Sequence, residues 1–240
     1  MKQQLALQLY TVREEAARDF AATLKQVALA GYTAVEFAGF FDIPAAEMAA
    51  LLAQNRLTAC GAHIGIDILE RQTGEMVQYL TAIGCRNAVI PYATFANAQD
   101  VDVMVSRIKS LLPKIKAAGL NLLYHNHAQE FEAIDGVKPI EAFLRRTEVM
   151  LELDTFWAHS AGEEVLEFMR KNRARIAIVH LKDGTGTSPC AIGEGAAPCK
   201  RIYDLSKELN IQHIVVENDA PLPSGIEDAT RSIQYITHNF

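Results

Sequence analysis

The chain has 240 residues, half of them hydrophobic, and a formal net charge of −6, with acids and bases spread along its length. This length suffices for one large core, and the absence of any basic stripe argues against a nucleic-acid partner. No apolar stretch is long enough to span a bilayer, no signal peptide stands out before the first strand, and none of the four cysteines forms a CxxC pair, so we expect no membrane partner and a reduced, cytoplasmic location.

Eight apolar segments alternate with helical stretches at a period of about 30 residues, the length of one βα unit. After the first strand, Tyr10–Ala16 contains no glycine, whereas an open doubly wound sheet usually carries a Gly-rich turn there. Gly31, Gly84 and Gly119 end three helical stretches, where a left-handed backbone favours glycine. The pattern therefore predicts an α/β fold, a single-domain (β/α)8 TIM barrel over residues 1–240. The predicted strands are Leu5–Tyr10, Ala34–Phe37, Thr58–His63, Ala88–Pro91, Leu120–His125, Val149–Leu153, Arg175–His180 and Gln212–Glu217.

The last four predicted strands each run into residues of metal-binding types. In chain order these residues are His125, His127 and Glu130, then Asp154, then His180 and Lys182, and finally Glu217 and Asp219. Charged groups are costly to bury without partners, and the carboxyl ends of the strands in a barrel face one another. We therefore expect these side chains to meet in one pocket, where a divalent cation would satisfy them.

Asp154, His180 and Glu217 are the core candidates for metal ligands, because each stands at the end of its strand or directly after it. From the fifth strand both His125 and Glu130 are candidates, and the sequence favours His125 because it comes first. Carboxylates combined with imidazoles, without cysteine, suit one Mn²⁺, Mg²⁺, Co²⁺ or Zn²⁺ ion.

Further polar residues are predicted to contact a substrate in the same pocket. They are His63, Glu36, His127, Lys182, Trp157 and Asp219. For Glu36 and His63 considered singly, capping or hydrogen bonding at a strand end is the alternative, and Trp157 equally suits ordinary packing. For proton transfer we expect Glu217 and Glu130, on opposite sides of the substrate, to act as a catalytic pair.

Seven segments resemble the xylose-isomerase-like TIM barrel superfamily, and in particular its sugar phosphate isomerase/epimerase group. They follow the family's order along nearly the whole chain: LQLYTVR (7–13), VEFAGF (35–40), YHNHAQEF (124–131), ELDTFWAHSAG (152–162), VHLKDG (179–184), IGEG (192–195) and VVEND (215–219). The resemblance implies one divalent cation, often Mn²⁺, held by a strand-five residue, Asp154, His180 and Glu217. Two positions depart from the family: many members have Glu where His125 stands, and a strand-six histidine common in epimerases is replaced by Trp157.

The resemblance also implies a class of reaction. A metal-dependent isomerase or epimerase of a sugar or sugar phosphate, which removes a proton next to a carbonyl, is the first expectation. A dehydratase of a keto-polyol such as inosose or dehydroshikimate is the second, and a non-catalytic sugar-binding barrel is the third. DNA-repair members need a basic face, so an endonuclease is set aside for a chain of net charge −6. The expected partner is a small carbohydrate or polyol, and barrels of this kind often form homodimers.

Overall fold

Eight parallel strands close into a barrel in the computed structural model, which describes residues 4–240. The barrel strands are β1 (Gln4–Gln8), β2 (Ala34–Ala38), β3 (Thr58–His63), β4 (Asn87–Ile90), β5 (Asn121–His125), β6 (Met150–Asp154), β7 (Ile176–Leu181) and β10 (His213–Val216). Each strand pairs with its neighbours in chain order, and β1 pairs with β10 to close the ring. The predicted TIM barrel is confirmed, and its first three residues lie outside the described part of the chain.

Helices pack around this ring and connect its strands. They are α1 (Arg13–Arg18), α2 (Phe20–Ala30), α3 (Ala45–Gln54), α4 (Ile66–Arg71), α5 (Thr73–Ala82), α6 (Ala98–Ala117), α7 (Pro139–Arg146), α8 (Thr155–Ser160), α9 (Val165–Lys171), α10 (Cys199–Glu208) and α11 (Gly225–Asn239). Two short 3₁₀ turns occupy Ala128–Phe131 and Arg173–Arg175, and an antiparallel hairpin of β8 (Asp183–Thr185) and β9 (Ser188–Cys190) follows β7. Within residues 4–240, no helix combines the length and apolarity needed to cross a membrane.

The element boundaries agree closely with the sequence pattern. Gly31, Gly84 and Gly119 have φ angles of 116°, 72° and 76°, so glycine stands where the helix ends require a left-handed backbone. The main difference is at β1, which ends at Gln8 instead of Tyr10. The carbonyl of Gln8 accepts a hydrogen bond from the amide of Thr11, which turns the chain out of the sheet.

The barrel interior has an apolar floor beneath a polar layer. The floor takes one buried residue from each strand except β6, namely Ala6, Ala34, Cys60, Val89, Leu123, Ile178 and Val215. Because side chains alternate along a strand, the residue two positions further on also faces inward. On five strands that residue is polar: Gln8, Glu36, His125, His180 and Glu217. These five side chains form a polar layer directly above the floor, at the carboxyl end of the barrel.

Candidate metal centre and substrate pocket

The four residues predicted as metal ligands come together at the mouth of the barrel. One ligand atom from each of His125, Asp154, His180 and Glu217 lies within 4.8 Å of the others, and all four side chains are buried. His180 Nδ1 lies 2.9 Å from Glu217 Oε2, and His125 Nε2 lies 3.8 Å from Asp154 Oδ2. Barrel closure thus unites residues that lie far apart in the chain.

Asp154 is held in place by two neighbours that leave one of its oxygens turned to the cluster. Asn126, directly after β5, donates from Nδ2 to the Asp154 carbonyl and accepts from the Asp154 amide, both at 3.0 Å. Asp154 Oδ1 accepts from the Trp157 amide and so caps the start of α8. The other oxygen, Oδ2, is buried, and its close partner within residues 4–240 is the Lys182 ammonium, 3.0 Å away.

Lys182 places a buried ammonium among the mouth carboxylates. Its Nζ lies 2.7 Å from Glu217 Oε2, 3.0 Å from Asp154 Oδ2 and 2.9 Å from Asp219 Oδ2. Burial alone would lower the pKa of Lys182, but the three carboxylates outweigh it and hold the pKa well above its usual value. Burial alone would raise the pKa of Glu217, but Lys182 and His180 outweigh it and the pKa lies well below its usual value. Glu217 is therefore anionic at neutral pH.

A cavity of about 410 Å³ opens above the ligands. Its wall includes His63, His127 and Asp219, three of the predicted contact residues, together with Tyr10 and Tyr92. Burial, followed by the nearby Lys182 charge, lowers the pKa of His127 to about 4, so its imidazole is neutral at physiological pH. The cavity is therefore aromatic and polar, with its charges concentrated at the carboxylates.

Trp157 lies next to His127 and Lys182 but is not among the residues that line the cavity, so its predicted contact with a substrate stays a prediction. Its ring centroid is 6.0 Å from that of His127 and 5.8 Å from Lys182 Nζ. The indole Nε1 is buried and has no hydrogen-bond partner within residues 4–240.

Glu152 lies beneath the ligands and was not among the predicted site residues. It is fully buried on β6, two positions before Asp154 and on the same inward side. Its Oε1 is 2.6 Å from His63 Nε2 and 3.0 Å from both His125 Nδ1 and His180 Nε2. Burial alone would raise the pKa of Glu152, but His180 and His63 outweigh it and the pKa is well below its usual value.

Glu36 belongs to the same lower layer, which corrects its predicted place on the pocket wall. Its Oε2 lies 2.5 Å from His180 Nε2 and accepts a hydrogen bond from Gln8 Nε2 at 3.0 Å. Gly61 makes room for it, because a Cβ added there would lie 2.1 Å from Glu36 Oε1. Burial, and then the charge of Glu152, raises the pKa of Glu36 above its usual value. Glu36 supports the histidines from below instead of touching the cavity.

Glu130 is not brought together with Glu217, so the structure does not form the predicted catalytic pair. Tyr124 precedes the inward His125 by one residue, faces the helices and packs on Phe143. Glu130 accepts a hydrogen bond from Tyr124 OH at 2.9 Å and another from the His127 amide at 2.7 Å. Glu130 is fully buried on the outer side of the strand, where it caps the 3₁₀ turn that follows β5.

Two sequence signals would have found what the motif pattern missed. Glu152 stands two residues before Asp154 within a strand, so alternation alone puts both carboxylates on the inner face. Glu130, in contrast, lies in the 3₁₀ turn after β5, where strand alternation no longer applies. Its hydrogen-bond partner Tyr124 is the neighbour of His125 in β5 and therefore points to the opposite side of the strand. Parity along each strand separates the inner residues from the outer ones better than proximity in sequence.

Comparison with known proteins agrees with this architecture. The family described as xylose isomerase-like TIM barrel matches residues 24–236, and no curated protein matches the chain. A sugar phosphate isomerase/epimerase from Parabacteroides distasonis superposes with a TM-score of 0.86 and 22% identity, over 100% of this chain and 95% of its own. The IolI protein with a bound zinc atom gives 0.77 and 14% over 98% and 97%. A probable 3-DHS dehydratase, AsbF from Bacillus anthracis, gives 0.76 and 10% over 99% and 100%.

Proposed function

Because this chain belongs to the xylose isomerase-like TIM barrel family, we propose that it is a divalent-metal-dependent isomerase or epimerase of a small, uncharged sugar or polyol. The observation that carries the proposal is the meeting of His125, Asp154, His180 and Glu217 beside the mouth cavity. The sugar phosphate isomerase/epimerase and the zinc-bound IolI protein, which share this fold, support the choice of reaction and of a metal.

The chemistry of the site fits a divalent cation. Glu36, Glu152, Asp154 and Glu217 are all buried, whereas Lys182 is the one buried lysine of residues 4–240. Asp154 Oδ2 and Glu217 Oε2 share this one ammonium, at 3.0 and 2.7 Å, so a second cation at the mouth would add to the compensation of two buried carboxylates. Two imidazoles and two carboxylates suit Mn²⁺ first, with Mg²⁺, Co²⁺ and Zn²⁺ as alternatives. When bound, the ion would act as a Lewis acid that polarises a substrate carbonyl and stabilises the charge formed next to it.

Glu217 is the proposed base because its carboxylate is anionic and lines the cavity. In ring order β4 stands across from β10 and is flanked by β3 and β5. His63, at the end of β3, therefore lies on the wall opposite Glu217. Burial alone would lower the pKa of His63, but Glu152 and Glu36 outweigh it and raise the pKa, which favours the protonated imidazole. We propose His63, in place of Glu130, as the second group in proton transfer.

The charges around the mouth favour an uncharged substrate. Lys182 is already paired with three carboxylates. Arg13 lies 4.3 Å over the Tyr10 ring and donates to the carbonyls of Tyr10 and Asp219. A phosphate would have to displace one of these contacts, whereas the hydroxyls of a free sugar suit the neutral His127 on the cavity wall.

Solvent exchange tests the proposed reaction. The Mn²⁺-loaded protein is incubated in D₂O with a panel of unphosphorylated ketoses and inososes, and deuterium incorporation is followed by NMR. We expect exchange next to a carbonyl, lost on chelation and reduced at least ~100-fold in Glu217→Gln, the loss typical of removing a general base. Glu208→Gln, on an exposed carboxylate at the end of α10, is the matched control.

Two outcomes would replace the proposal with one of its alternatives. An ultraviolet absorption from a newly formed enone would identify a dehydratase. Ligand binding without any exchange, and unchanged in Glu217→Gln, would identify a sugar-binding protein. Metal analysis of each variant separates the loss of a base from the loss of a metal ligand.

A further inference from the structure

We propose that Glu152 is a positioning residue, which holds the rings of both metal-binding histidines in place through one carboxylate oxygen and fixes the protonated nitrogen of His125. The proposal rests on the metal site described above, but it concerns metal affinity and ring tautomers, which are measured without any substrate. It adds to that site a fixed lower layer formed by Glu152 and His63.

The geometry centres on Glu152 Oε1. Three ring nitrogens surround this one oxygen, from His63 at 2.6 Å and from His125 and His180 at 3.0 Å each. The register of the sheet enforces the arrangement, since Glu152 pairs with His125 across β5 and β6, while Asp154 pairs with His180 across β6 and β7. Glu152 is fully buried, so no water competes for these contacts from the surface.

This arrangement assigns a tautomer to His125. A neutral imidazole has one N–H, and the nitrogen next to a carboxylate donates it. His125 then donates from Nδ1 to Glu152 and turns the free Nε2 towards Asp154, as metal binding requires. Both nitrogens of His180 face carboxylates, with Nε2 2.5 Å from Glu36 and 3.0 Å from Glu152, and Nδ1 2.9 Å from Glu217. An ion that binds His180 through Nδ1 therefore has to displace the proton on that nitrogen.

The lower cluster is itself close enough to suggest a metal site, since ligand atoms of His63, His125, Glu152 and His180 also lie within 4.8 Å of one another. Its spacing argues otherwise. The three ring nitrogens converge on Glu152 Oε1 itself, at 2.6–3.0 Å, so this oxygen occupies the centre where an ion would have to lie. Those are hydrogen-bond distances, with the carboxylate oxygen at the centre.

The test measures Mn²⁺ affinity by calorimetry in the wild type, Glu152→Gln and Asp154→Asn. We expect one ion per chain, and a 10- to 100-fold loss of affinity in Glu152→Gln, the usual effect of removing the carboxylate behind a metal-binding histidine. Asp154→Asn serves as the variant of a direct ligand. An unchanged affinity in Glu152→Gln beside a loss in Asp154→Asn would overturn the proposal.

A second measurement does not depend on how well a variant folds. In the Zn²⁺-loaded wild type, ¹⁵N NMR of the histidine rings should show His125 protonated at Nδ1 and His180 protonated at Nε2. The opposite tautomer at His125 contradicts the role of Glu152. So does a second ion per chain, or metal binding that His63→Ala abolishes and Asp154→Asn retains, because each places an ion in the lower cluster.

Discussion

At the residue scale, Lys182 and a divalent ion compete for the same oxygens. Lys182 Nζ contacts Asp154 Oδ2 and Glu217 Oε2, which belong to the proposed ligand set, and Asp219 Oδ2, which does not. Two cations within a few ångströms repel strongly in a buried site. We therefore infer that metal loading shifts Lys182 towards Asp219, the most exposed of its three partners.

Lys182→Met tests this competition. Removing the ammonium leaves Asp154 and Glu217 without their counter-ion, so we expect Mn²⁺ to bind about 10-fold more tightly, which corresponds to about 1.4 kcal/mol. The metal-free variant should lose about 3–5 kcal/mol of stability, the usual cost of breaking a buried pair. Calorimetry and urea denaturation, with and without Mn²⁺, measure both effects. Equal or weaker metal binding would show that Lys182 assists the ion instead of competing with it.

At the scale of elements, the residues at the end of β5 and in the turn after it lie on two different sides of the barrel wall. His125 faces the cluster, whereas Tyr124 and Glu130 lie on the helical side and bond to each other. Burial raises the pKa of Glu130 to about 7 from an ordinary value of 4.5. The turn therefore holds a carboxyl group that is protonated in the folded protein at pH values where the unfolded chain has released its proton.

Glu130→Gln tests this structural role through its pH dependence. Between pH 4.5 and about 7 the folded protein binds the extra proton, so wild-type stability falls with rising pH relative to the variant. We expect the difference in unfolding free energy between pH 4.5 and pH 8 to shift in favour of Glu130→Gln, on the order of 2–3 kcal/mol. Urea denaturation measures it, with the exposed Glu132→Gln as control.

Metal affinity provides the second readout for Glu130. It should be unchanged in Glu130→Gln, because none of the contacts of Glu130 reaches the ligand set. A loss of metal binding, or a stability difference that is the same at both pH values, would indicate that Glu130 belongs to the proposed metal site after all.

At the scale of the whole molecule, the ligands come from β5, β6, β7 and the end of β10, so only the closed barrel presents them together. An ion that binds the folded state alone stabilises it by mass action, by about 2.7 kcal/mol at a concentration 100 times Kd. For a chain of this size that corresponds to a rise in Tm of about 5–10 °C.

Thermal denaturation with Mn²⁺, Co²⁺, Zn²⁺ or Mg²⁺ measures this coupling, and chelation should reverse the rise. Asp154→Asn should show a smaller increase, because it keeps the fold but lacks one anionic ligand. If none of the four metals changes the Tm, the protein does not bind a metal in its folded state and the proposed metal dependence is wrong.

The barrel and the cluster of residues at its mouth were predictable from local pattern. Apolar segments with a period of one βα unit, glycine at helix ends and the absence of a Gly-rich first turn are enough for the fold. His125, Asp154, His180 and Glu217 stand at strand ends, and parallel strands in a ring bring such ends together.

The three-dimensional packing alone decided the roles of the remaining residues. Whether a carboxylate touches the cavity, supports a histidine or caps an outer turn depends on strand parity, on a bulge and on the space left by Gly61. Glu36, Glu130 and Glu152 have the same chemistry in the sequence, yet each has a different role. The reason is physical: a buried charge acquires its function from the few groups within about 3 Å of it, and those groups come from other strands.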